Sequence, residues 1–194
     1  KAGINNIRLY IMVGLPFEEI SDIEEIITMA KNVRGYMDAV GSRGKLTLSV
    51  NPFIPKPQTP FQWLPMENLK SITKKIDYLQ KEIKKIIGVE IIAESPKEAY
   101  IQAVLARANR NIGKCILKTH QLGSVKNFKN VLKDAGLTEE KNLYREFTET
   151  EILPWHNIDI GVTVDYFKQE LTKAKEGLQT IACFDGCKRC GVCK

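Results

Sequence analysis

The residues with the most definite chemistry stand together near one end of the chain. Cys183, Cys187, Cys190 and Cys193 follow a C-x3-C-x2-C-x2-C spacing and account for all but one of the five cysteines. An x2 spacing lets a tight turn bring two thiolates to one ion, and Gly186 and Gly191 supply the backbone freedom such turns need. Lys188 and Arg189 stand between them, where positive charge lowers thiol pKa values and offsets the charge of a thiolate-bound centre. A secreted disulfide framework spreads its cysteines along the chain to staple loops; a terminal cluster reads instead as a metal or iron–sulfur site in a reducing compartment, and so as a cytoplasmic chain. The expected ligands are Cys183, Cys187, Cys190 and Cys193, for an iron–sulfur cluster or a structural zinc, which would be four-coordinate and closed. Four free or oxidised thiols without metal are the alternative.

Other reactive side chains are scattered. Cys115 stands alone and reads as a small buried helix residue. His120 and His156 are the only histidines, and neither has a partner at metal or triad spacing. His120 reads as a surface or helix-end residue. His156, in Pro154-Trp155-His156-Asn157, has a functional role as one reading and a bland one as the other. Arg107 and Arg110 share a helix face at i, i+3 and could hold a carboxylate or phosphate. The competing reading pairs them with Glu94 or Glu98.

Composition bounds the partners. The 194 residues are 43% hydrophobic and 27% charged, which fits a globular chain and excludes collagen, disorder and a disulfide miniprotein. No run of 18 apolar residues exists, so no transmembrane helix and no membrane partner are expected. The formal charge of +6 is spread along the chain. It permits an RNA substrate without requiring one, and no DNA is expected.

The elements that must position these residues begin at once. A nearly all-apolar stretch over 7–13 reads as a parallel strand covered on both faces, ended by Gly14-Leu15-Pro16. Ser21 and Glu24 read as a capping box for a helix to about Val33. Gly35, Gly41 and Gly44 mark a loop, and a second strand runs over 46–53, making a right-handed β-α-β unit. The proline-rich stretch 54–65 reads as irregular, with Phe61 and Trp63 anchoring it. A Lys-rich amphipathic helix over 67–87 has its charges on a solvated face and ends at Gly88. Residues 89–93 form a strand candidate. Helices are expected over 96–107, 110–121, 124–135, 139–146 and 163–176, with 147–162 irregular. A chain that opens so close to a buried strand is expected to be a piece of a larger protein.

Residues 1–65 resemble a known superfamily. Tyr10-Ile11-Met12-Val13-Gly14-Leu15-Pro16-Phe17-Glu18, followed by a helix with Asp22 and Glu24, is similar to the fifth strand and helix of radical S-adenosylmethionine (SAM) enzymes. Leu48–Pro60, continuing through Phe61-Gln62-Trp63, resembles their sixth strand and exit loop. Downstream, Ser95, Glu98, Ala99, Ala106–Arg110, Leu153–Asp159 and the cysteine cluster resemble the end of one uncharacterised radical SAM family, which often carries a cobalamin-binding-like N-terminal domain. Ala106, Ala108 and Asn109 depart from that family's usual SRGDRR-like form.

The resemblance implies a fold and a function. The fold is α/β, the C-terminal portion of a partial (β/α) TIM-type barrel over 1–65, a helical extension over 66–182 and a cysteine-rich tail over 183–194. Met12, Val13 and Gly14 would line SAM, and Asn51, Pro52 and Phe53 would touch its adenine. The SAM-cleaving C-x3-C-x2-C loop would lie in an upstream half of the same protein, its partner here. Cys183, Cys187 and Cys190 copy that spacing, but their place after the last helix and the fourth cysteine favour an auxiliary cluster. The isolated piece would then be inactive, with SAM, and possible cobalamin, bound by the intact parent. The alternative is a non-catalytic, zinc-containing module that binds RNA or protein.

Overall fold

A computed structural model describes residues 3–137 and 143–193. The chain divides into two compact units, Lys1–Ile54 with Met66–Ile101, and Pro55–Pro65 with Gln102–Lys194.

The first unit is built on a three-stranded parallel sheet, β1 (Ile7–Val13), β2 (Leu46–Pro52) and β3 (Val89–Ala93), in the order β1-β2-β3. Between β1 and β2 runs α1 (Ile20–Ala39), and between β2 and β3 runs α2 (Leu69–Ile83). Leu46, Leu48 and Val50 of β2 are fully buried beside Val13. The helices supply Ile23, Ile27, Ala30 and Met37 from α1, and Ile72, Ile76, Leu79 and Ile83 from α2. One sheet face is thus covered by two helices that also pack on each other.

The expected partial TIM-type barrel does not form. The sheet has three strands in simple sequential order, and its third is β3, from the stretch assigned to a helical extension. This is an open α/β arrangement. The β-α-β repeat is common to barrels and open sheets, and local sequence carries no signal for closure. The face away from the helices is uncovered: Tyr10 is 73% exposed and Met12 53%. β1 therefore alternates outward and inward rather than being buried on both faces.

Local details also differ from expectation. α1 starts at N-cap Glu19, whose N–H donates to Asp22 Oδ2 at 2.8 Å, rather than at Ser21. It runs through Gly35 because buried Arg34 and Met37 reward the extra turn. The Arg34 guanidinium donates to Asp38 Oδ1 and to the carbonyls of Ser42 and Gly44. Gly88 ends the turn after α2 at φ +77°, as a C-terminal glycine should.

The second unit holds part of α3 (Pro96–Arg107), with α4 (Ile112–Gln121), α5 (Phe128–Asp134) and α6 (Val164–Lys175). The proline-rich loop is not wholly irregular: Pro60–Trp63 form one 3-10 turn with proline where its missing N–H costs nothing. Trp63 lies in this unit's core with Leu64, Phe147, Leu153, Trp155, Phe167 and Leu171, and so does not anchor a barrel. Cys115 is buried in α4 and His120 sits in its last turn. The helix expected over 139–146 falls partly outside the described residues, and 143–146 are not helical. Among the described residues, no helix is long and apolar enough to cross a membrane.

Candidate functional site

The residues assigned to SAM lie at the C-terminal ends of β1 and β2, where parallel sheets present ligand sites. Strand register sets Met12 beside Asn51 and Val13 beside Pro52. Alternation then separates them. Val13 and Pro52 are buried, whereas exposed Met12 and half-buried Asn51 belong to the uncovered face. Phe53 is buried, and its N–H donates to Val13 O at 2.7 Å. The structure brings all six residues to one end of the sheet and leaves two of them, Met12 and Asn51, on the open side.

Gly14 has a different reason for being glycine than ligand approach. Its φ is +81°, and a Cβ would stand 3.0 Å from Glu67 Oε2 and 3.1 Å from Ile72 Cγ1. Its N–H is already used, donating to Glu18 Oε1 at 2.9 Å. The Glu18 carboxylate thereby closes the turn after β1.

Behind that turn lies a charge cluster. Lys75 Nζ, on α2, is 2.7 Å from Glu18 Oε1 and 2.9 Å from Glu67 Oε2, and Ser71 Oγ donates to Glu67 Oε1 at 2.6 Å. Burial pulls the Lys75 pKa down, but hydrogen bonds to the two carboxylates outweigh it and raise the value above 10.5. Lys75 is therefore not on a solvated face. Sequence reading missed it, although its position three after Ile72 and four before Leu79 put it on the flank of the buried stripe.

In the second unit, Arg107 is 1% exposed. Its guanidinium donates to the carbonyls of Gln62 (3.1 Å), Leu64 (2.6 Å) and Arg145 (2.9 Å) and lies 4.0 Å from the Phe147 ring centroid. Burial, with the Arg145 charge beside it, pulls its pKa down to about 10. Arg107 thus bolts the proline-rich loop in place. Arg110 lies in the turn beyond α3 and is exposed, so the two do not share a helix face to grip an anion. Neighbouring Gln62, missed as a polar residue between two aromatics, accepts from Trp155 Nε1 at 2.7 Å and from Gln58 N at 3.1 Å, both on Oε1. His156 is exposed, with Nδ1 3.0 Å from Leu153 O.

The cysteine segment folds against the start of α6. Thr163 N donates to Cys190 O at 2.9 Å, and Gly186 and Gly191 adopt φ +81° and +84°. The turns close with Cys187 N to Phe184 O and Gly191 N to Lys188 O. Cys187 is buried, Cys190 half-buried, and Cys183 and Cys193 exposed, all as free thiols. Arg189 Nε donates to Cys187 Sγ at 3.2 Å, which holds that thiol below its usual pKa, and the guanidinium also donates to Ile181 O and Ala182 O. The donor chemistry suits zinc or an iron–sulfur cluster. Among the described residues, as the free thiols stand, no group of three or more His, Cys, Asp or Glu is placed to hold a metal ion.

Comparisons with known proteins give one match of note. The chain is 33% identical over 150 residues to an uncharacterised protein of Methanocaldococcus jannaschii, an alignment that covers 75% of this chain and 32% of that protein. The chain thus spans about a third of the length of the curated relative it matches. No family model matches the chain, and no solved structure does.

Proposed function

We propose that this chain is a segment of a radical SAM enzyme and contributes one wall of its SAM site through Met12 and Asn51. The observation that carries the reading is the pairing of those two residues at the C-terminal ends of adjacent parallel strands, on the uncovered face. The Gly14–Glu18 turn beside them resembles the superfamily's motif and is held rigid by two hydrogen bonds to Glu18. In this reading Val13, Gly14, Pro52 and Phe53 shape the strand ends from behind rather than touching the ligand. SAM held there would supply radical chemistry on reduction by an iron–sulfur cluster of the intact protein, and Met12 and Asn51 would hold and orient it.

We assign the cysteine segment an auxiliary role on the same reading, with Cys183, Cys187, Cys190 and Cys193 as ligands once drawn together. Free thiols, glycine turns and the Arg189 N–H···S bond support that role.

The test is anaerobic purification of the full-length protein from which this segment comes, followed by iron, sulfide and zinc analysis and SAM binding. Iron with sulfide beyond one cluster, and SAM affinity lowered about tenfold by Asn51→Leu (roughly the 1.4 kcal/mol of a lost buried hydrogen bond), are expected. Zinc without iron would move the assignment to a structural knot in a binding module, and absence of SAM binding would remove the enzyme reading.

A further inference from the structure

The net charge of this chain is gathered in one stretch rather than spread along its length. Residues 108–133 hold Arg110, Lys114, Lys118, Lys126, Lys129 and Lys133 and no Asp or Glu. These six cations equal the whole formal charge of +6; outside them, 23 basic side chains are matched by 23 acidic ones. All six lie in the second unit and all six are exposed.

The fold turns this stretch into a face. α4 and α5 pack on each other, with a 3-10 turn at Val125–Asn127 between them. Cys115 and Thr119 of α4 and Phe128, Val131 and Leu132 of α5 take the buried positions. The lysines take outward ones. Lys114 and Lys118 are one turn apart on α4, and Lys126, Lys129 and Lys133 recur at i, i+3 and i+7 through the turn and α5. Lys118 Nζ lies 4.0 Å from Asp134 Oδ2, so the two rows stand side by side. That long, solvated pair contributes little and leaves the face cationic. Like charges on two short helices repel one another and cost the fold stability. A bound polyanion removes that cost.

The other exposed residues of the face narrow the partner. Gln121 lies one turn from Lys118, and Asn130 lies one turn from both Lys126 and Lys133, all exposed. Amides among lysines are the side chains that contact phosphate and sugar. Phe128 is the single Phe, Tyr or Trp of residues 108–133, and it is buried, so no ring is offered for stacking on unpaired bases. The exposed aliphatic residues Ile116, Leu117, Leu122 and Val125 are spread over α4, its cap and the 3-10 turn. They do not form the single apolar helix face that inserts into a membrane surface. The width of the face also matters. A B-form major groove admits one helix, whereas the lysines here stand on two, side by side. The wide, shallow minor groove of A-form RNA accepts such a surface.

We propose that the α4–α5 face docks on the sugar–phosphate backbone of double-stranded RNA. The lysines meet phosphates, and Gln121 and Asn130 meet the sugar hydroxyls that distinguish RNA from DNA. Recognition is of shape and charge, without base-edge readout. The face shares no residue with the SAM assignment, so either can fail without the other.

Fluorescence anisotropy of a labelled RNA duplex of about 16 base pairs (the span of compact duplex-RNA modules), titrated with the full chain, tests this. The competitors are the DNA duplex of the same sequence and phosphatidylglycerol vesicles. The RNA is expected to bind more tightly than either, and to lose about 10²–10³ in affinity between about 50 and 200 mM salt, as roughly five phosphate contacts require. Lys114→Gln with Lys118→Gln, and Lys126→Gln with Lys133→Gln, are each expected to weaken binding about tenfold and to reduce the salt slope by about two. Lys74→Gln with Lys81→Gln removes the same charge from exposed positions of α2, in the first unit, and is expected to leave binding unchanged. Circular dichroism checks that the variants fold. Failure to bind the RNA at low salt, equal or tighter binding of the DNA or the vesicles, or equal weakening by the α2 pair would each overturn the proposal.

Discussion

Lys75 and Glu18, 57 residues apart in sequence, meet at 2.7 Å with side chains only 12% and 5% exposed. Glu18 closes the turn after β1, so this pair ties α2 to the end of the strand that carries Met12. Replacing Lys75 by Met removes the charge but leaves Glu18 and Glu67 facing each other. A destabilisation of about 3 kcal/mol is expected, the usual cost of orphaning a buried charge. Urea denaturation measures it. Lys75→Met together with Glu18→Gln is expected to recover part of the loss.

The same pair sets a pH dependence. The folded pKa of Lys75 is raised above 10.5, so its contribution is complete below that value and is lost as the pH climbs through the folded pKa. The stability gap between wild type and Lys75→Met is expected to stay level from pH 7 to pH 10 (a span below the ordinary lysine pKa) and to narrow above it. A gap that closes on the acid side instead would contradict the assignment.

Two glycines of the cysteine segment separate strain from packing. Both Gly186 and Gly191 have positive φ, but an added Cβ at Gly186 meets nothing within 4 Å, while at Gly191 it would stand 2.8 Å from Thr163 Cγ2. Gly186→Ala is expected to cost about 1 kcal/mol through the backbone alone. Gly191→Ala is expected to undock the segment from the start of α6, read as faster proteolytic cleavage between Ile181 and Cys193 with the global unfolding midpoint little changed.

Arg107 offers the clearest test of the second unit. Its guanidinium satisfies three carbonyls, and Arg107→Met leaves those of Gln62, Leu64 and Arg145 without that donor. A loss of about 3 kcal/mol or more is expected from unsatisfied buried acceptors, with a red shift of tryptophan emission as Trp63 loosens. Arg107→Lys should recover little, because an ammonium cannot span the fork.

Glu151 gives a smaller, opposite pH effect. The Arg145 hydrogen bonds hold its carboxyl below the usual 4.5, so its contribution is present above that value and lost as the pH falls through the lowered pKa. Both side chains are well solvated, and Glu151→Gln is expected to cost under about 1 kcal/mol at neutral pH. Thermal denaturation at pH 7 and pH 3 distinguishes this from a pH-independent packing effect.

The sequence by itself determined most of the elements, though not the run of α1 through Gly35, the 3-10 turn at Pro60–Trp63 or the lack of helix over 143–146. β1, β3 and α3 begin and end where apolar periodicity and proline or glycine signals put them, because hydrophobic spacing and backbone restrictions act within a few residues. It also shows the residue types of the cysteine segment, four thiols and two glycines that take positive φ in its turns. The tertiary structure decided what those elements form. Whether a β-α-β repeat closes or stays open depends on strands far apart in sequence, and the three strands here make an open sheet. It decided that Met12 and Asn51, rather than Val13 and Pro52, occupy the uncovered face, because strand alternation acts only once a face is covered. It gave Lys75 and Arg107 their partners, which are charges and carbonyls 57 and 45 residues away. Burial turns a surface-like side chain into a structural one, and burial is a property of the packed molecule alone.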